Sequence, residues 1–251
     1  MSSVTRRIKM ITQPIGGYLN PKIFEKIQLN TDDMLAEREN IHPSLVGLVV
    51  DYLTRFSLGA SAEKAFHISL RGAKNLGEQK EANLILSNIK GLDDKSIVNA
   101  CKMVGYDVVY RVGPRGYKPV SEINPDIATI NNVRALVNRS LKFFETYGPV
   151  VMDGFSLKGA YTKLITVGDG DFITKDTLWD FKVSVSSPTK DHTLQLIIYY
   201  LMGLRSIHSS AFNSIKYLGI YNPKLSMVYR LSIGDIPNEI INSISKDVIG
   251  Y

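Results

Sequence analysis

Residues 168–203 read GDGDFITKDTLWDFKVSVSSPTKDHTLQLIIYYLMG, and their alternation, turns and helical period decide the fold. Successive side chains of an extended strand point to opposite faces. Thr177–Val185 therefore sends Trp179, Phe181, Val183 and Val185 one way and Asp180, Lys182 and Ser184 the other. Taken alone, an acid and a base sharing one face also describe a solvated strand; the neighbouring segments change that reading. Gly168-Asp169-Gly170-Asp171 closes the preceding strand, and a hairpin from it sets Asp171 beside Asp180, with Asp169 as the fallback. Two carboxylates facing one space suit a hard cation such as Mg²⁺, which takes one or two carboxylates with water and phosphate oxygens. The same GDGD also suits a polar turn. A helix is predicted from about His192 to Leu204, with Gln195, Tyr199 and Met202 on one face and Leu194, Ile197, Ile198, Leu201 and Leu204 as apolar bulk. Gln195 is expected to orient a ligand or contact substrate, whereas Tyr199 reads either as a substrate contact or as amphipathic packing.

Outward from this stretch, PVVMDGF, YTKLITV and TLWDFKVSV read as three consecutive strands. Two more strands are predicted around Ile215–Tyr221 and Met227–Ile233, and a final helix begins near Pro237. The order implies an α/β fold, a central mixed β-sheet flanked by helices. Upstream, His42–Phe56 reads as a helix with Pro43 in its first turn and Leu45, Leu48, Val49, Tyr52 and Phe56 on its buried face. Residues 58–147 are mostly helical, ending in a long helix after Asn124-Pro125 with Ile130, Val133, Val137, Leu141 and Phe144 on one side. Within them YDVVYRVGPRGYK (106–118) reads as an extended segment and turn presenting Arg111, Arg115 and Lys118, either an exposed basic loop or a nucleic-acid contact. Residues 1–41 form a weakly patterned N-terminal segment.

The series GDGDFIT, LWDFKVS, HTLQLIIYYLMG resembles the PD-(D/E)XK nuclease superfamily, particularly its RecB-like branch, over residues 149–205. The resemblance implies a restriction-endonuclease-like core made of residues 42–57 and 148–251, with 58–147 as a helical insertion. It implies that Asp171 and Asp180 bind metal, that Lys182 positions or activates the attacking water, and that Gln195 sits beside them with Tyr199 in a Gln-x-x-x-Tyr pattern. Gly47 and Asp51 match an upstream helical pattern of the branch, in which Asp51 becomes a further metal ligand; a solvated aspartate fits equally, and Glu145 and Asp153 are fallbacks. The implied activity is Mg²⁺-dependent hydrolysis of DNA, with Mn²⁺ able to substitute and a 5′-phosphate left behind. Endonuclease and exonuclease action both fit.

Composition narrows the alternatives. The hydrophobic content of 44% supports a buried core, and no apolar run approaches the roughly 20 residues of a membrane span. No membrane partner is therefore expected, and the chain reads as cytoplasmic. A single cysteine, Cys101, cannot hold the four-cysteine iron–sulfur cluster found in some RecB-like relatives. His42, His67, His192 and His208 show no short metal-ligand spacing, and no Walker or dinucleotide glycine motif occurs. The net charge of +6 favours a polyanionic partner such as DNA. A protein partner or a homo-oligomer is also open. The rival reading is a nucleic-acid-binding or regulatory protein that keeps the fold without cutting; the intact Asp171, Asp180 and Lys182 set weighs against it.

Overall fold

The computed structural model describes residues 2–31 and 33–251. They divide into two compact units, a sheet unit of residues 1–30 and 144–251 and a helical unit of residues 31–143. The chain begins in the sheet unit with α1 (Val4–Met10), capped by the Ser3 hydroxyl and burying Val4 and Ile8 one turn apart. The short strand β1 (Glu25–Gln28) follows. Residues 4–28 of the N-terminal segment are thus part of the sheet and its core, a role their weak patterning does not announce.

The helical unit comprises α2 (Pro43–Ser57), α3 (Ala62–Ala65), α4 (His67–Leu76), α5 (Gln79–Ser87), α6 (Asp94–Val104), α7 (Asp107–Val112) and most of α8 (Ile127–Tyr147). Two expectations are corrected here. The α2 helix lies within residues 31–143, and its buried face runs through Val46, Val49, Val50, Tyr52 and Leu53, rotated from the predicted stripe. The segment 106–118 is not extended: it forms α7 and a 3-10 turn at Pro114–Gly116. Gly72 of α4 makes α7 possible, because a Cβ there would lie 2.0 Å from the Tyr106 carbonyl oxygen. Long α8 buries Ile130, Val133, Val137 and Phe144, four of the five predicted positions.

From Phe144 onward the chain is in the sheet unit, with β2 (Val150–Asp153), β3 (Phe172–Thr174), β4 (Thr177–Phe181), α9 (Lys190–Gly203), α10 (Ser209–Phe212), β5 (Tyr217–Asn222), β6 (Met227–Ser232) and α11 (Asn238–Ser243). The six strands lie in the order β1-β6-β5-β4-β3-β2, with β4 and β5 parallel and the other neighbours antiparallel, a mixed sheet with flanking helices. YTKLITV is not a strand: Thr162 closes a turn onto Ile165, and Val167 makes only an isolated bridge to Ser3. The strand before β4 is Phe172–Thr174. One face of β3 and β4 is aromatic, with Phe144 5.0 Å from Phe172 and stacked 5.4 Å from Phe181, and Tyr147 edge-on to Trp179. Gly219 sits opposite Trp179 in the β4–β5 register, where a Cβ would meet the indole at 2.2 Å. No helix among the described residues is long and apolar enough to cross a membrane.

Candidate active site

The β3–β4 hairpin pairs Phe172 with Trp179 and Ile173 with Leu178. Since those pairs point alternately to the two faces, the next positions outward, Asp171 and Asp180, are neighbours on the face opposite the aromatic layer. The Phe181 N–H donates to Asp171 Oδ2 at 2.9 Å and fixes that carboxylate at the strand end. Asp180 is buried, only 2% exposed.

Regular strand structure ends at Phe181, four residues short of the predicted Val185, because Asn222 captures the chain beyond it, its side-chain amide donating to the Ser184 carbonyl at 2.7 Å. Lys182 nevertheless stays in line, its N–H donating to the Tyr221 carbonyl at 2.9 Å. Its ammonium lies 2.8 Å from Asp180 Oδ2 and donates to Asp180 Oδ1 at 3.0 Å. It also donates to Gln195 Oε1 at 3.3 Å, and Gln195 Nε2 donates to the Tyr199 hydroxyl at 2.8 Å. The four side chains thus form one chain of contacts, Asp180, Lys182, Gln195, Tyr199, held between β4 and the first three turns of α9.

The α9 helix begins where Thr189 and His192 form a reciprocal capping box, and from Thr193 to Tyr199 every residue is buried. Burial, followed by Asp180, Asp171 and Asp169, pushes the Tyr199 phenol far above its ordinary range. These carboxylates make the surroundings of the hydroxyl negative. Mg²⁺ is commonly held by one or two carboxylates with water and phosphate, so Asp171 and Asp180 fit it as the protein's share of the ligands. Among the described residues no group of three or more His, Cys, Asp or Glu side chains forms a metal site.

His192 is a site neighbour that sequence reasoning passed over. Its Nδ1 accepts the Thr189 N–H at 3.2 Å, and burial with the adjacent Lys182 charge lowers its pKa to about 4 against the pull of Asp191. The usable signal was its place three residues after Thr189 and one helical turn before Gln195.

The remaining predicted residues stand on other elements. Asp51 is in the helical unit, where Arg55 Nε and Nη2 donate to its two carboxylate oxygens at 2.9 and 3.1 Å. Asp153 pairs with Phe172, which puts it on the aromatic face away from Asp180, and Glu145 is exposed on α8. Arg111, on α7, stands 3.5 Å from Asp107 and reaches the Tyr52 hydroxyl at 3.4 Å. Arg115 is exposed in the following turn, and Lys118 lines a cavity of about 510 Å³ beside the start of α2. Burial raises the Cys101 thiol to about 12, leaving it a packing residue. Comparison with family models, with curated proteins and with solved structures returns no match.

Proposed function

We propose that this protein is a metal-dependent deoxyribonuclease of the PD-(D/E)XK type, close in pattern to the RecB-like branch, acting on DNA in the cytoplasm. The observation that carries the reading is the adjacency of Asp171 and Asp180 with Lys182 held between Asp180 and Gln195. An accidental Asp-x-Lys on a solvated strand would have neither a buried acid nor a glutamine from another element closing on its lysine.

In this reading Asp171 and Asp180 hold Mg²⁺, or Mn²⁺ in its place. Bound there, the cation would polarise the scissile phosphate and lower the pKa of a water. The chain's own groups do the rest. The Phe181 N–H holds the Asp171 carboxylate at the end of the strand. Lys182 puts positive charge where negative charge develops as water attacks phosphorus and the bond to the 3′ oxygen breaks, leaving a 5′-phosphate and a 3′-hydroxyl. Gln195 is a positioning residue, its Oε1 accepting from Lys182 while its Nε2 is anchored on Tyr199. Arg111, Arg115 and Lys118 are the helical unit's candidates for phosphate contact. No ligand role is proposed for Asp51, whose two oxygens lie on Arg55.

The test is cleavage of linear duplex, single-stranded and plasmid DNA with Mg²⁺, Mn²⁺ or EDTA. Metal-dependent cutting that falls at least about 100-fold in Asp180→Ala and in Lys182→Ala, with folding retained, is the expected result. Salt-sensitive DNA binding without any cutting would transfer the reading to a binding module.

A further inference from the structure

A lysine-lined cavity lies on the sheet unit at its β1 edge. Lys22, Lys26 and Lys190 line a cavity of about 600 Å³ together with Asn20, Ser187 and Tyr229. No acidic side chain lines it, and none of the three ammonium groups has a carboxylate partner among the described residues. The lysines come from three separate places, the 3-10 turn Pro21–Ile23, strand β1 and the first residue of α9. Lysines scattered for solubility have no reason to converge on one concavity with hydroxyls between them.

Local structure holds them there. Gly16 and Gly17 both have positive φ, and a Cβ on Gly17 would lie 2.6 Å from Lys190 Cβ, so the glycine turn lets the N-terminal loop close against the start of α9. The Asn20 side chain caps the turn that carries Lys22, accepting its N–H at 3.0 Å. The Tyr229 and Ser187 hydroxyls are paired at 3.2 Å and fix the loop before α9 to β6.

The sheet register connects this cavity to the candidate active site. Asp180 pairs with Ile220, Ile220 with Tyr229, and Tyr229 with Lys26. Paired residues project from the same face, so Asp180 and Lys26 stand on one face of the sheet three strand spacings apart, about 14 Å. That is about four nucleotides of duplex rise at roughly 3.4 Å each. Phosphate is the ligand that matches the cavity's chemistry: three uncompensated ammonium groups for its charge and an amide and two hydroxyls for its oxygens.

We infer that the Lys22, Lys26, Lys190 cavity is a phosphate-binding subsite that grips the nucleic-acid backbone a few nucleotides from the bond cut at Asp180. The inference rests on the nuclease reading for the scissile position, while the subsite itself does not require cutting.

The experiment measures binding of fluorescently labelled single-stranded and duplex oligonucleotides in EDTA across a salt series, so that no cleavage contributes. The unsubstituted protein is compared with K22Q/K26Q/K190Q and with K158Q/K163Q/K246Q, which removes the same charge from exposed sheet-unit positions outside the cavity. Retained melting curves confirm folding. The expected result is that the slope of log affinity against log salt shrinks by about 2 to 3 in the cavity variant and by less than 1 in the control. Equal changes in both variants, or none in the cavity variant, would overturn the inference. Saturable binding of inorganic phosphate that the cavity variant loses, with the DNA slope unchanged, overturns it in favour of a free phosphate ligand. Metal-dependent cleavage is scored separately: cutting with an unchanged slope sinks the subsite alone, and a changed slope without cutting sinks the nuclease reading alone.

Discussion

Each unit buries one carboxylate beside a cation and a tyrosine, and the two differ in what completes them. In the helical unit Asp107 is fully buried; the Tyr52 hydroxyl donates to it at 2.6 Å, the Ser69 hydroxyl donates to its other oxygen, and Arg111 stands 3.5 Å away. The cluster closes on itself. In the sheet unit Asp180 is nearly as buried, but its neighbours are a second carboxylate, Asp171, and a lysine whose side chain is 23% exposed. The carboxylate of Asp107 is met by two hydroxyl donors and an arginine, whereas Asp180 is met by a partly exposed lysine and has a second carboxylate beside it, the arrangement that the proposed cation would complete. Burial alone therefore does not separate the two clusters; the groups around each carboxylate do.

Exchanging the two acids for amides tests that distinction with the largest effect. Asp180→Asn is expected to lower the cleavage rate at least about 100-fold with a smaller effect on melting temperature, since relief of repulsion with Asp171 offsets part of the lost Lys182 ion pair. Asp107→Asn should do the reverse, leaving the chemistry of the site intact but costing about 1 to 3 kcal/mol of stability, because an amide offers donors to hydroxyls already donating. Thermal melts beside cleavage assays read both. A fall in rate for Asp107→Asn that exceeds its unfolded fraction would break the comparison.

The pH dependence sharpens it. Burial raises the Asp107 pKa above its unfolded value, against the hydrogen bonds from Ser69 and Tyr52 and the charge of Arg111, which lower it. A carboxyl whose folded pKa is raised contributes stability that is fully present below its unfolded value, near pH 4, and lost as pH rises through the folded value. The stability of the wild type relative to Asp107→Asn should thus decline from about pH 4 upward and then level off. Denaturant melts at a series of pH values measure the difference, and a flat difference would show that Asp107 is ionised throughout.

The placement of several candidate residues was legible because its signals are local. Strand alternation put Asp180 and Lys182 on one face, the GDGD-to-TLWDF spacing set Asp171 beside Asp180, and helical spacing aligned Gln195 with Tyr199. The misreadings arose where distant contacts overrule local composition. YDVVYRV is rich in β-branched residues, yet it coils into α7 because Gly72 admits the Tyr106 backbone and Asp107 finds Tyr52 and Ser69. The Asp107 and Arg111 pair at i,i+4 was the helical signal available in the sequence. YTKLITV has the composition of a strand, but its Thr166 N–H goes to the carbonyl of Ser2, 164 residues away. The four residues of β1 are mostly exposed and show no alternation; only the register with β6 defines them as a strand. The three-lysine cavity was invisible for the same reason, since its members come together only across that register and a glycine turn.

The smallest expected effect concerns the far end of the chain of contacts that starts at Asp180. Tyr199 is buried and its phenol is held far above its ordinary pKa by that burial and by Asp180, so it stays neutral throughout any working pH range. Its part in the site is then to give Gln195 Nε2 an acceptor, not to exchange a proton. Tyr199→Phe keeps the ring and removes that acceptor, which should cost about 1 to 3 kcal/mol of stability by leaving a buried amide hydrogen unpaired. The rate should drop only about two- to fivefold, because Gln195 Oε1 still accepts from Lys182, and the alkaline limb of the pH–rate profile should not move. Cleavage rates measured up to alkaline pH for both proteins check this. A shift of that limb, or a loss as deep as that of Asp180→Asn, would make Tyr199 a proton-transfer group and extend the reacting centre one residue further along α9 than the geometry supports.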